Sequence, residues 1–363
     1  MQALAKRSRA HGARNPEARA ATRAACLSVA LTCASCGSVG TGGGSVGTGA
    51  GPIPPFPLVQ VADVALPGAA ARFDYQDIDA AHGHLVIAHM YDDSVAVVQL
   101  SDGSLVKVLP GIPTARGVAV ADALGRIFVT SSPNQLVIID SASLTEISRV
   151  TTGNSPDGVA WDPVDQIVGV TDQGDGAVSL IANAGSGVRT QVPIGTETGN
   201  VVHDASRGRF WVTVVNTVPP DQLVAIDPVA ATVTTRIDLP GCSGAHGLRL
   251  HPDGKSALVA CEVNSLLDRV DLGTNAITTA AVGTSPDVLA IDSGHNWLYV
   301  AAESGTLTVF DLAQPGLSSI DSELIAAAAH TVAVDSATHR VFFPLEAGPQ
   351  GTPVLRIMRP ASP

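Results

Sequence analysis

PDGVAWDPVDQIVGVTDQGDGAVSLI, residues 156–181, is the stretch from which the fold can be read. Three short apolar runs, rich in β-branched residues, are separated by Pro163 and Asp165 and then by Gly174, Asp175 and Gly176. Runs of this length bounded by turn formers predict strands joined by tight turns. The same order returns downstream, where PDVLAID at 286–292 is followed by NWLYVAAE and TLTVFD, and upstream, where RGVAVA at 116–121 is followed by RIFVTS and QLVIID. Four further openings of the unit stand at FDYQDID (73–79), GNVVHD (199–204), HGLRLHP (246–252) and HTVAVD (330–335). Anchored on Asp74, Arg116, Asp157, Gly199, His246, Asp287 and His330, the steps are 42, 41, 42, 47, 41 and 43 residues. A period near 42 with four short strands per unit predicts propeller blades. The chain is therefore read as all-β, a seven-bladed β-propeller.

A ring of blades must close, or its last blade exposes raw strand edges. The third strand of blade seven, Val354 to Met358, is nearly the end of the chain, while Leu58 to Leu66 reads as a strand with no partner of its own. The expectation is that this N-terminal strand completes the last blade. Charged residues are only 15 % and the apolar set is 45 %, which excludes a coiled coil or a disordered acidic chain.

Residues 1–36 carry six basic side chains against Glu17, a net +5, which leaves −17 on the rest of a chain whose total is −12. So acidic a body repels nucleic acid phosphates and favours cations, neutral molecules or basic partners. The run Ala24 to Ala34 is too short to span a bilayer but suits the apolar region of a secretory signal. It ends in Cys33-Ala34-Ser35-Cys36-Gly37, which resembles a bacterial lipoprotein cleavage box with Cys33 where such boxes usually carry Leu. Residues 1–36 are thus read as a signal peptide with Cys36 as the lipidation site, plain secretion and an uncleaved leader being the alternatives. Residues 37–57, rich in Gly, Ser and Thr and then Pro, cannot bury a core and read as a spacer. The propeller is expected over 58–363, as a monomer in the periplasm or cell envelope, touching a membrane only through the lipid.

The strand motifs LVIAHMYDDSVAVV and IFVTSSPNQLVIID resemble those of the YVTN-repeat, YncE-like seven-bladed β-propellers, and the resemblance covers residues 58–358. It implies an exported binding protein and does not imply a reaction. This chain departs from the usual repeat in placing acids where Asn commonly follows the second strand.

In a propeller the residue opening the first strand and the residue ending the second lie at one mouth. Two columns follow. The first is Asp74, Arg116, Asp157, Asn200 beside Gly199, His246, Asp287 and His330; the second is His89, Ser131, Asp172, Asn216, Glu262, Glu303 and Glu346. The first column is the expected ligand-binding set, and Glu262, Asp287, Glu303 and Glu346 are the candidate metal ligands. Two carboxylates about 6 Å apart repel by roughly 3 kcal/mol at an effective dielectric near 20. Acids converging on a narrow funnel therefore call for a cation, shared protons, or Arg116 between them; a wide, flooded funnel makes no such demand. Any metal is expected to be divalent, since imidazole with carboxylate suits Zn or Mn.

His82, His84, His251, His295 and His339 fall in the turns at the opposite mouth and are read as solvated turn residues, and His203 as a hydrogen-bonded wall residue. Cys242 and Cys261 map to the acidic mouth, where a disulfide, two free thiols or a ligating thiolate are the alternatives. There is no HExxH or haem-attachment motif, and no GxSxG nucleophile elbow, since the Gly-rich segment at 40–51 has neither a strand before it nor a helix after it. Two functions follow: a propeller that binds a small molecule or protein partner at the acidic mouth, or a metal-dependent hydrolase or lyase. The second resembles the gluconolactonase and streptogramin-lyase propellers, and the resemblance implies His246 and His330 as acid and base.

Overall fold

Residues 56–361 are described by a computed structural model of the chain. The leader, Cys36 and the spacer up to residue 55 lie outside the described residues. Twenty-eight strands form seven four-stranded antiparallel sheets. Blade three shows the pattern: Pro156–Asp162, Ile167–Asp172, Ala177–Ile181 and Arg189–Pro193 pair in chain order from the axis outward. Blade seven is built from both ends of the propeller, its Ala333–Asp335, Arg340–Leu345 and Val354–Pro360 being completed by Leu58–Ala65. The ring closes as the repeat requires, with the first strand of blade seven touching that of blade one.

Strand alternation fills the space between blades. In the second strand of blade two, Ile127 and Val129 pack toward blade one while Phe128 packs toward blade three, because successive side chains leave a strand on opposite faces. Seven apolar clusters result, each in the seam between neighbouring blades. Both faces of the second strand are buried, so RIFVTS and RVFFPLE read as nearly continuous apolar runs.

The first strands of blades three to six share an irregularity. Their pairing with the second strand shifts between Pro156 and Val159, Thr198 and Val201, Ala245 and Leu248, and Pro286 and Leu289. Such a bulge re-aims the side chains it carries. Asp157, His246 and Asp287 each occupy the first bulged position, and Gly199 holds that place in blade four. At the second bulged position of blade five a Cβ on Gly247 would collide with the Asp287 carbonyl, so close approach between blades demands glycine there.

Candidate functional site

The bulges are pinned by threonines from the second strands. Thr130 Oγ1 accepts from Gly117 N (2.7 Å) and donates to the Asp157 carbonyl (2.6 Å) of the next blade. Thr213 Oγ1 accepts from Asn200 N (2.9 Å) and donates to the His246 carbonyl (2.7 Å). Each hydroxyl thus fixes the backbone carrying a mouth residue of the following blade. The repeated VT near the end of the second strand was the available signal in the sequence.

The side chains so placed line a cavity of about 240 Å³ at the mouth, together with Arg72, Met90, Tyr91, Arg116, Gln173, Glu262 and Glu303. Five carboxyl groups face two guanidinium groups there. Arg72 Nη1 stands 2.7 Å from Glu303 Oε1, and its Nη2 is 3.5 Å from Asp287 Oδ2. Arg116 Nη1 donates to Gln173 Oε1 (2.8 Å) and lies 3.9 Å from Asp157 Oδ1. The remaining oxygens, Asp157 Oδ2 and Asp287 Oδ1, are buried and make no hydrogen bond among the described residues. His246 Nε2 lies 3.7 Å from the first and 3.6 Å from the second.

Burial sets the protonation of this site, and the neighbouring charges refine it. Asp74 is pushed up to about 7 by burial and then by Asp157 and Asp287, against the pull of Arg72 and His330. Asp287 is likewise raised to about 7: burial dominates and Glu303 and Glu262 add to it, while His246 and Arg72 oppose. For His246 burial works against the charged ring, but Asp287, Asp157, Glu262 and Asp74 outweigh it and hold its pKa above the ordinary value. Burial and mutual repulsion thus keep protons on Asp74 and Asp287 up to about neutral pH.

Of the expected ligand-binding residues, Asp74, Arg116, Asp157, His246 and Asp287 come together in the cavity, as do Glu262 and Glu303. Asn200 does not. It holds the second bulged position of blade four, its Oδ1 accepts from Val201 N (2.7 Å), and it lines a separate void of about 20 Å³ with Tyr75, Gln76 and Arg249. His330 is enclosed, with Nδ1 2.9 Å from the Ala328 carbonyl and Nε2 3.0 Å from the Phe73 carbonyl. Asp287, Glu303 and His330 offer ligand atoms within 4.8 Å of one another, although both nitrogens of that imidazole face main-chain carbonyls. Glu346 lies within electrostatic reach of His89, whose ring stacks on Phe73 (centroids 4.0 Å) outside the cavity.

The rest of the second column is spent on local structure. Ser131 donates to the Pro113 carbonyl (2.7 Å), Asn216 to that of Pro220 (2.9 Å), and Asp172 accepts from Gly153 N, Ser179 and Gln191. Among the charged side chains of the cavity, Arg72 is the one missed. It lies in the connector before the first strand of blade one, outside the repeat, so no periodic signal marks it. Cys242 and Cys261 form a disulfide, Cα–Cα 5.2 Å, bracing the loop that leads to His246.

No protein-family model matches the chain, and no curated protein matches it. Solved structures do. A chain of Kuenenia stuttgartiensis hydrazine synthase is similar with a TM-score of 0.69 at 13 % identity, over 84 % of this chain and 99 % of that one. A chain from the crystal structure of the mitotic checkpoint complex reaches a TM-score of 0.70 at 10 % identity, over 84 % and 92 %. At such identities the likeness is one of fold.

Proposed function

We propose that this chain is an exported binding propeller, related to the YVTN-repeat YncE-like group and tethered through Cys36, whose acidic mouth captures a cationic ligand. The ligand is a divalent ion, or an ammonium or guanidinium group on a small molecule or protein partner. One observation carries the reading: two buried, unpartnered carboxylate oxygens, Asp157 Oδ2 and Asp287 Oδ1, flank His246 Nε2 in a cavity where carboxyl groups outnumber guanidinium groups five to two. Unpaired buried acceptors are costly and gain most from a cation. Asp157 Oδ2, His246 Nε2 and Asp287 Oδ1 are the atoms that would hold a metal. Calorimetric titration of tag-free protein with Mn²⁺ and, separately, agmatine is the test. Binding of either, weakened at least tenfold in Asp157→Asn and in His246→Ala, supports the reading; a wild type that takes up neither probe at millimolar concentration removes it.

The hydrolase or lyase alternative rests on His246 and His330 acting as a pair. His330 does not line the described cavity, which leaves His246 as the imidazole there. That favours binding without turnover.

A further inference from the structure

At the mouth opposite the acidic cavity, the turns of blades six and seven bring together Asp292, His295 and His339. Asp292 is fully buried, and the two histidines are 35 % and 33 % exposed. His295 Nδ1 lies 3.0 Å from Asp292 Oδ2, His339 Nδ1 lies 2.9 Å from the same oxygen, and the two Nδ1 atoms are 2.9 Å apart. We propose that these three residues form a binding site for a transition-metal dication of the zinc class, with water completing the coordination, which staples blade six to blade seven.

Proton counting makes the case. An imidazole Nδ1 presents either one hydrogen or one lone pair, in the plane of the ring, and an ionised carboxylate presents only lone pairs. If both nitrogens are protonated, two hydrogens converge on one oxygen and on each other. If only one is, the lone pair of the other faces the carboxylate. With the carboxylate ionised, no distribution of protons satisfies all three short contacts, whereas one cation between them does. An ion about 1 Å above the plane of these atoms would be about 2 Å from each, the distance zinc keeps from imidazole nitrogen and carboxylate oxygen.

The surrounding structure is shaped to this cluster. In blade one the equivalent pair, Asp79 and His82, makes the same local contact at 2.9 Å, so the bond from His295 alone is a turn feature. What differs is His339. It occupies the left-handed position of its turn at φ 59°, where blades one, two and four use Gly83, Gly125 and Gly208. An imidazole is there at a conformational cost that glycine avoids. A Cβ on Gly294 would strike His339 Cε1, so the neighbouring turn has no side chain where the ring must pass. Ser336 Oγ ties the two turns by accepting from Ser293 N (3.1 Å), and Trp297 packs against His295 with ring centroids 5.1 Å apart. His295 and His339 are turn residues about a third exposed, as expected, and the proposal adds a shared ligand to that role.

The experiment is a Zn²⁺ titration of tag-free, metal-stripped protein, with Co²⁺ absorption as the spectroscopic readout. Wild type should bind at this site, show Co²⁺ ligand-field bands, and gain about 5 °C in Tm at a hundredfold excess over Kd. His339→Gly restores the residue used at the same turn in three other blades, so it should fold. Loss of outer-shell partners alone costs 10–100-fold in affinity, so removing a ligand should cost about 100-fold or more. His295→Gln should act alike, and Asp157→Asn at the acidic mouth should leave this site unchanged. Absence of Zn²⁺ and Co²⁺ binding in wild type overturns the proposal. So does binding that survives His339→Gly and disappears in Asp157→Asn, which would assign the ion to the other mouth.

Discussion

His246 shows what single residues contribute: an imidazole between two carboxylate oxygens that have no other partner. Asp74 and Asp287, held near 7, keep protons that the unfolded chain releases around pH 4. The native state therefore binds more protons across that window, and these groups make stability fall as pH rises from about 4 to 7. His246, raised above its ordinary value, acts in the same sense, its contribution being lost as pH rises through its folded pKa. Asp74→Asn should accordingly be more stable than wild type by about 1–2 kcal/mol at pH 8.5 and nearly equal to it at pH 4, as urea midpoints at the two pH values would show. A cation entering the cavity must displace these protons. Its affinity should rise with pH through about 7, with proton uptake by the buffer visible when calorimetry is repeated in buffers of different ionisation enthalpy. Asp74, Asp157, Asp287 and His246 were legible because each opens a repeat, and Glu262 and Glu303 because each follows a second strand. Arg72 was not, since its place beside Glu303 depends on a connector that only folding brings over the mouth.

At the scale of the element, the bulge in the first strand and the threonine in the second act together. Thr213→Val keeps the shape but leaves Asn200 N–H and the His246 carbonyl without their partner, which should cost about 1–3 kcal/mol in thermal or urea unfolding. It should also weaken cation binding, because the backbone carrying His246 is released. The disulfide is a second element-level brace. Cys242 and Cys261 are 19 residues apart, and closing a loop of that size restricts the unfolded chain by about 3 kcal/mol. Cys261→Ser should lower stability by up to that amount, read against wild type with and without reductant. The pair was legible as one of three alternatives; its pairing required Ala245 and Cys261 to be facing residues, which strand register alone decides. Asn200 lies outside the acidic cavity for the same reason, since one step within the bulge moves a side chain from the mouth to the channel wall.

Over the whole molecule, closure is the controlling feature. Seven residue pairs join Leu58–Ala65 to Val354–Pro360, and Arg356 clamps Asp63 with two bonds of 2.8 and 2.9 Å. A chain starting at residue 57 should stay monomeric on size-exclusion chromatography and unfold cooperatively. One starting at residue 67 leaves the blade-seven edge open and should self-associate or lose its sharp transition. Blade number, period and this closing strand were readable from the chain because each blade repeats the same local problem, apolar on both faces and turning at Gly and Asp. The sequence by itself thus determined the architecture and which positions face a mouth. Only the tertiary structure decided which of those side chains meet: His330 is closed off by two carbonyls, Glu346 stays out of the acidic cavity, Arg72 is drawn in, and His339 is set against Asp292. Periodicity is a property of neighbours along the chain, whereas a site depends on distances across the ring, where a shift of one residue or a few ångströms changes the partner.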